Sequence, residues 1–188
     1  MAFVLASASP RRRELIELFD IDDVKIIPSP SEESFTGLTP EETVKAVAMS
    51  KAKAVLPLCG SDDAVLGADT LVFLGSTPLG KPHSEQEAFE MLRALSGKTH
   101  SVCTGCAIIK GGTAVSFAET TLVTFRELND AEIRRYIASG EPMDKAGAYG
   151  IQGRGALFIT GIDGDFYNVM GLPVCSLAVR LRQMKIID

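Results

Sequence analysis

The run from Ala64 to Leu74 constrains the fold more than any other part of this sequence. Nearly all of its residues are apolar, β-branched or small, a composition typical of a buried strand. One carboxylate, Asp69, stands in the middle of it. Burying a carboxylate is unfavourable unless a cation or a hydrogen-bond donor compensates its charge. The run therefore predicts a buried strand in which Asp69 pairs with a buried Lys or Arg, caps a neighbouring turn, or lines a cleft where it holds a metal or a water.

A second charged residue falls inside an apolar pattern. Residues 39–42 predict a capping box with proline at the first helical position, and the helix reaches about residue 56. Its inward-facing apolar positions have helical spacing: Val44, Val47, Ala48 and Val55. Lys51 falls on the same stripe. A lysine on the core face either extends its ammonium to solvent or reaches a buried anion.

The other predicted elements alternate between strands and helices. Strands are predicted at residues 3–6, 24–27, 99–109, 114–125, 156–160 and 166–169. Helices are predicted at residues 11–19 and after Ser84, Asn129 and Pro173. Residues 75–78 are predicted as a turn and residues 110–113 as a hairpin. Both histidines, His83 and His100, are expected as loop or turn residues, with His100 at the very start of the predicted strand 99–109. This order favours an α/β protein with a mixed sheet over a purely parallel one.

Composition narrows the class of protein. With 188 residues, 46% of them hydrophobic and 23% charged, the chain has room for one well-buried core or two small lobes. Its net charge of −5 argues against nucleic-acid or membrane binding, which needs a basic surface. No apolar run reaches the roughly 18–20 residues that cross a bilayer, and the N-terminus lacks the basic start of a signal peptide. We therefore expect a cytoplasmic protein that binds neither nucleic acid nor membranes.

The cysteines do not form the pattern of a zinc site. His100, Cys103 and Cys106 lie within one predicted strand, where residues three apart point to opposite faces. The other two cysteines, Cys59 and Cys175, stand far apart and supply no second pair of ligands. Buried structural thiols in a reducing compartment are the interpretation that the pattern favours.

Basic residues follow the first predicted strand. Ser7 to Arg12 lie where that strand ends and a helix begins, and helix N-termini attract anions through their free N–H groups. Arginines make such a place suitable for phosphate, and Lys51 and Lys81 would add positive charge. The alternative is that the arginines only form a solvated helix start.

Acidic residues would complete a site for phosphate chemistry. Glu32, Glu33 and Asp69 would suit a hard cation, because magnesium commonly bridges carboxylates and phosphates. Together with the basic residues they indicate metal-assisted attack of water on a phosphoanhydride.

Several motifs together resemble the Maf-like nucleoside triphosphate pyrophosphatases, a family also called septum-formation inhibitors. They lie at residues 5–15, 67–70, 79–82, 99–105, 120–128, 144–153 and 168–173. The resemblance covers nearly the whole chain and implies a single domain at residues 1–188. It implies an elongated mixed β-sheet flanked by helices, with two lobes around a central cleft, as in the inosine triphosphatases. The implied reaction is hydrolysis of a nucleoside triphosphate to the monophosphate and pyrophosphate, with Mg²⁺ or Mn²⁺.

The resemblance also implies roles for individual residues. Asp69 matches the family's proton acceptor, and Glu33 and Asp69 match its metal ligands. The residues that match phosphate-binding positions are Ser7, Arg12, Lys51 and Lys81. The residues that match positions separating the substrate branches are Arg11, Thr70 and Gln152, and they resemble the branch that acts on dTTP and UTP. Glu32 departs from the aspartate expected before the second acid, which leaves open which acid of the pair binds metal.

Alternative functions stay open at this point. A regulator of cell division would bind a nucleoside triphosphate as a signal without needing to hydrolyse it. A pyrophosphatase for non-standard purine nucleotides is compatible with the same fold, and modified pyrimidine nucleotides are further candidate substrates. A homodimer is also compatible with the sequence.

Overall fold

The computed structural model describes residues 1–30 and 39–188 and has a mixed α/β fold. The strands are β1 (Phe3–Leu5), β2 (Val24–Ile26), β3 (Ala64–Leu74), β4 (Thr77–Leu79), β5 (Thr99–Lys110), β6 (Thr113–Phe125) and β7 (Ile159–Asp163). The helices are α1 (Pro10–Ile16), α2 (Pro40–Val55), α3 (Glu85–Leu95), α4 (Asp130–Ile137), α5 (Phe166–Met170) and α6 (Val174–Gln183).

The strands form one seven-stranded sheet in the order β2-β1-β3-β5-β6-β7, and β4 pairs with β3 beside this path. Strand β1 is parallel to both of its neighbours, with Leu5 opposite Ile26 on β2 and Leu66 on β3. The pairs β3–β4 and β6–β7 are antiparallel. Parallel neighbours at one end and antiparallel pairs elsewhere confirm the predicted α/β class with a mixed sheet.

The chain divides into two compact units. The first consists of Met1–Asp69, Thr104–Glu119 and Gly171–Asp188, and the second of Thr70–Cys103 and Thr120–Met170. The long strands β3, β5 and β6 each contribute residues to both units. In the first unit, α2 packs its predicted inner face against β1 and β3, and a cluster of buried side chains forms there: Val4, Ala6, Ala48, Ala52, Val55 and Val65.

The second unit has its own core between its helices and its part of the sheet. Helix α3 buries the four residues that helical spacing predicted: Ala88, Met91, Leu92 and Leu95. Helix α4 starts at a capping box. The Asn129 side chain accepts a hydrogen bond from Glu132 N, and the Glu132 side chain accepts one from Asn129 N. Such a box satisfies two helix-start donors, which explains why the sequence predicted this helix correctly.

Three short elements differ from the sequence prediction. Residues 156–160 were expected as a strand, but a 3₁₀ segment occupies Gly153–Phe158 and β7 begins only at Ile159. Residues 166–169 belong to helix α5, and residues 77 and 78 of the expected turn belong to strand β4. Short apolar runs fit a strand or a buried helix equally well. At α5 the tertiary structure decides, because buried Asn168 donates Nδ2 to Val102 O and Thr121 Oγ1.

Across residues 1–30 and 39–188, no helix combines the length and the apolar character that crossing a membrane requires.

Candidate functional site

The two charged residues that interrupt apolar patterns contact each other. Lys51 Nζ donates a hydrogen bond to Asp69 Oδ1 at 2.6 Å, with 12% of the lysine side chain and 3% of the aspartate side chain exposed. Lys51 therefore reaches a buried anion, and Asp69 pairs with a buried cation. The contact is compatible with a purely structural ion pair and with a site that binds charged groups. In both cases a cation lies beside the buried carboxylate and compensates its charge.

Glycine at position 67 allows this contact. A Cβ built on Gly67 would lie 2.1 Å from Ala48 O and 2.7 Å from Ala52 N, so α2 lies directly on the backbone of β3. Residues two apart on a strand share a face, which directs Asp69 toward the same helix. Lys51 lies on that helix between Ala48 and Ala52. Any larger residue at position 67 would push α2 away and lengthen the Lys51–Asp69 distance.

Arg12 is a second buried cation of the first unit. Only 8% of it is exposed, although it lies in the first turn of α1, where Ser9 is the N-cap and Pro10 the first helical residue. Its Nε donates to Gly171 O at 2.8 Å, and its Nη1 donates to Ala68 O at 2.8 Å and to Ser7 Oγ at 3.3 Å. The solvated alternative for this arginine is therefore wrong.

The structure thus brings four predicted site residues together in the first unit. Arg12 bonds the carbonyl of Ala68, and Lys51 bonds the side chain of the next residue, Asp69. Ser7 is 8% exposed, and its Oγ also accepts from Ser9 N at 3.2 Å. Arg11 lies in the same helical turn as Arg12 and is half-buried. Two cations therefore converge on consecutive residues of β3.

The remaining described candidates belong to the second unit. Thr70 is half-buried in β3, whereas Lys81 and Gln152 are exposed. The segment before Lys81 is tied to the glycine-rich segment of the chain, because Gly147 N donates to Gly80 O at 3.0 Å. Glu32 and Glu33 lie outside the described residues, and their predicted role stays a prediction.

The donor chemistry of Asp69 fits a magnesium-like cation. Magnesium binds oxygen ligands and is often held by only one or two carboxylates together with substrate phosphates. Asp69 supplies one carboxylate, and Glu33 is the predicted second. In the described part of the chain no group of three His, Cys, Asp or Glu side chains gathers as a metal site.

Two of the four cysteines match the predicted buried thiols. Cys103 and Cys106 are buried, and burial raises the pKa of Cys106 to about 12. The prediction is wrong for Cys175, which is exposed, and Cys59 is half-buried. A buried thiol with a raised pKa stays protonated and packs as a small apolar side chain.

His100 is not a loop residue. It lies in β5 with 2% of its surface exposed, and its Nε2 is 2.7 Å from Tyr149 Oη. Its ring also meets the Phe125 ring edge-on, with 5.0 Å between centroids. Burial lowers the pKa of His100 to about 4 and raises the pKa of Tyr149. The ring is therefore neutral near pH 7 and belongs to the core of the second unit.

Sequence reasoning missed one polar cluster. Glu141, which follows α4, accepts from Tyr136 Oη at 2.9 Å, from Arg154 N at 3.0 Å and from Gly155 N at 3.2 Å. Its partners in the glycine-rich segment are 13 and 14 residues away in sequence. No local pattern reveals such a contact, because neither helical nor strand periodicity links residues at that separation.

The fold and these contacts define a class: an α/β protein on a mixed sheet, with a buried lysine–aspartate pair and a buried arginine in its first unit. The chain belongs to the family described as Maf-like protein, whose model matches residues 2–184. A "dTTP/UTP pyrophosphatase" of Bacillus cereus (strain AH187) is 52% identical in sequence to this chain. The match covers 97% of this chain and 95% of the length of that relative. The protein of the same name from Bacillus cereus (strain ATCC 10987 / NRS 248) is 51% identical. That match covers 97% of this chain and 90% of the length of the relative.

A solved structure shares the fold at low sequence identity. A HAM1 protein from Coxiella burnetii superposes with a TM-score of 0.54 and 18% identity, covering 97% of this chain and all of that chain. At that identity the likeness concerns the fold alone. It agrees with the predicted α/β fold on a mixed sheet.

Proposed function

We propose that this protein hydrolyses dTTP and UTP to the nucleoside monophosphate and pyrophosphate, with the help of a divalent cation. The observation that carries the proposal is the convergence of Arg12 and Lys51 on Ala68 and Asp69, because it joins buried positive charge to a carboxylate. Family membership, and relatives about half identical in sequence that are named dTTP/UTP pyrophosphatase, support the substrate.

In this proposal Asp69 and Lys51 of the first unit act directly in the hydrolysis. Water attacks the α-phosphorus, a new P–O bond forms, the bond to the bridging oxygen between the α and β phosphates breaks, and pyrophosphate leaves. Asp69 accepts the proton of the attacking water. Lys51 orients one oxygen of that carboxylate, and an ammonium has three N–H donors, so it can bond a carboxylate and a phosphate together. Ser7, Arg12 and Lys81 complete the binding of the phosphates.

Asp69 and Glu33 would hold the divalent cation. When bound, Mg²⁺ or Mn²⁺ would neutralise phosphate charge and polarise the phosphorus for attack. The protein's own contribution is to present a carboxylate that is 97% buried yet compensated by Lys51. Such a carboxylate is oriented before the nucleotide arrives, which reduces the reorganisation needed during the reaction.

Arg11, Thr70 and Gln152 would recognise the base. A uracil or thymine edge presents one N–H between two carbonyl oxygens, and a glutamine amide offers both a donor and an acceptor. Gln152 gives no capping hydrogen bond to the 3₁₀ segment that follows it, and its side chain is exposed. A polar edge left unmatched by the wrong base costs about 1–3 kcal/mol, which corresponds to roughly ten- to a hundredfold discrimination.

The test is a substrate panel with product analysis. The protein is incubated with Mg²⁺ or Mn²⁺ and dTTP, UTP, CTP, GTP, ITP or ATP, and monophosphate, diphosphate, pyrophosphate and phosphate are resolved. We expect pyrophosphate and monophosphate from dTTP and UTP first, and no turnover with EDTA.

Other outcomes of this experiment would favour the alternative functions. Nucleoside diphosphate and phosphate as the first products would show that the bond between the β and γ phosphates is cleaved, which would contradict the proposal. Binding of UTP without any product would favour a nucleotide-sensing regulator, and preference for ITP would favour a pyrophosphatase for non-standard purines.

A further inference from the structure

We propose that Glu141, together with Tyr136, is a positioning residue for base selection, because it holds in place the loop that carries Gln152. The inference rests on the proposed function, since it concerns how the same site distinguishes pyrimidine from purine triphosphates. Residues 150–155 are named the base loop here. Glu141 and Tyr136 are named the clamp.

The clamp bonds the base loop at both ends. At the first end, Gly150 N donates to Tyr136 Oη at 3.1 Å. At the other end, Arg154 N and Gly155 N donate to the two oxygens of Glu141 at 3.0 and 3.2 Å. Tyr136 Oη in turn donates to Glu141 Oε1 at 2.9 Å, which links the two ends into one network.

Glycine is required where the base loop meets the clamp. Gly153 has a φ of +72°, and a Cβ on it would lie 2.9 Å from Glu141 Oε2. A Cβ on Gly155 would lie 2.2 Å from Gly150 O and 2.9 Å from Tyr136 Oη. The loop backbone therefore packs directly on the clamp and on itself, which explains why Gly153 and Gly155 are glycines.

Gln152 lies between the two bonded ends. Its neighbour Ile151 is buried with 7% of its surface exposed, so that one side of the loop is anchored in the core while Gln152 is exposed. A loop bonded at both ends has little freedom to shift, and a hydrogen bond to a base edge depends on placement within a few tenths of an ångström. The clamp thus fixes where Gln152 can meet a base, without touching the base itself.

Tyr136, one of the two clamp residues, is protected from competing water, whereas Glu141 is half-buried. Tyr136 is 3% exposed, and burial raises the pKa of its phenol, which therefore stays protonated and able to donate to Glu141. Charge-assisted hydrogen bonds such as those to the Glu141 carboxylate are stronger than bonds between neutral groups. The network therefore links a buried phenol to the backbone of the base loop.

The experiment compares Glu141→Ala with Glu141→Gln, Tyr136→Phe and the matched control Glu132→Ala. Glu132 also accepts several hydrogen bonds in the second unit, from Arg126 and from Asn129 N, but it does not contact the base loop. Each variant is assayed for kcat and KM with UTP and with GTP, and its melting temperature is recorded.

We expect Glu141→Ala to lower the ratio of kcat/KM for UTP over GTP about tenfold, mainly through a higher KM for UTP. Tyr136→Phe should lower the ratio in the same direction. Glu141→Gln keeps one acceptor oxygen but sets an amide NH2 against one of the two backbone N–H donors, so it should keep part of the selectivity that Glu141→Ala loses. Glu132→Ala should lower the melting temperature and leave the ratio unchanged. The loss in Glu141→Ala should not add to that of Gln152→Ala in the double variant.

The wild-type ratio is measured first, so that two failures are kept apart. A wild-type protein without pyrimidine preference would overturn the proposed function and this inference together. A wild-type preference that survives in Glu141→Ala, or that falls equally in Glu132→Ala, would overturn the inference alone. Additive losses in the double variant would also overturn it, because they would show that Glu141 acts independently of Gln152.

Discussion

Replacing Asp69 with asparagine separates its chemical role from its structural one. The change keeps the shape of the side chain but removes the negative charge that faces Lys51 Nζ at 2.6 Å. Breaking a buried ion pair by removing one partner costs about 3–5 kcal/mol. The asparagine oxygen still accepts a hydrogen bond from the ammonium, which retains about 1.5–3 kcal/mol. We therefore expect Asp69→Asn to lower the free energy of unfolding by roughly 1–3 kcal/mol.

We expect Asp69→Asn to affect activity much more than stability. For a chain of this size, 1 kcal/mol corresponds to about 2–4 °C in melting temperature, so the variant should melt about 2–12 °C lower and remain folded at 25 °C. If Asp69 accepts the proton of the attacking water, pyrophosphate release from UTP should fall at least about a hundredfold.

A double variant tests the stability argument on its own. Asp69→Leu combined with Lys51→Met replaces both charged side chains by apolar ones of similar size. Stability should return toward that of the wild-type protein, because replacing a buried ion pair by apolar residues is often neutral or stabilising. Activity should stay lost, because both residues belong to the proposed site.

Two results would contradict the catalytic role of Asp69. Wild-type kcat for UTP in Asp69→Asn would show that Asp69 is only a structural ion-pair partner. A melting temperature of Asp69→Asn below the temperature of the assay would show that the variant had lost activity because its fold was weakened.

Three further predictions concern Lys51, Gln152 and His100. Lys51→Ala should raise KM for UTP and lower kcat, because a phosphate ligand acts in both the ground state and the transition state, whereas Lys53→Ala on the same helix, whose side chain is exposed, should change neither. Gln152→Ala should narrow the kcat/KM ratio between UTP and GTP and leave the dependence on Mg²⁺ concentration unchanged; an equal loss for all triphosphates would remove Gln152 from base recognition. His100 has a folded-state pKa of about 4 against 6.5 in the unfolded chain, so below pH 6.5 only the unfolded state gains its proton. Stability measured by urea unfolding should therefore fall by about 3 kcal/mol between pH 6.5 and pH 4 from this group, and His100→Gln should remove that part of the slope.

Long elements with their own start signals were predictable from the sequence. Helices α2 and α4 carry capping boxes, and α3 begins at Ser84, whose hydroxyl accepts from Glu87 N. Their apolar faces have helical spacing, so the buried positions followed directly. Short elements were not predictable in the same way. Strand β4 and helix α5 have three and five residues, too few for a period to distinguish a helix from a strand.

In the candidate site, too, some features were predictable from the sequence and others were not. The sequence by itself marked Asp69 and Lys51, because a charge inside an apolar period needs compensation wherever the chain folds. It did not show that the two compensate each other, since that depends on α2 approaching β3 at Gly67.

Contacts between distant parts of the chain were decided only by the tertiary structure. The burial of Arg12 depends on the carbonyls of Ala68 and Gly171, and the clamp of the base loop depends on Glu141 accepting from Arg154 N and Gly155 N. Periodicity and capping act within a few residues along the chain, so a sequence reveals which side chains require a partner. The partner itself is chosen when packing brings backbone donors and acceptors from remote segments within hydrogen-bond distance.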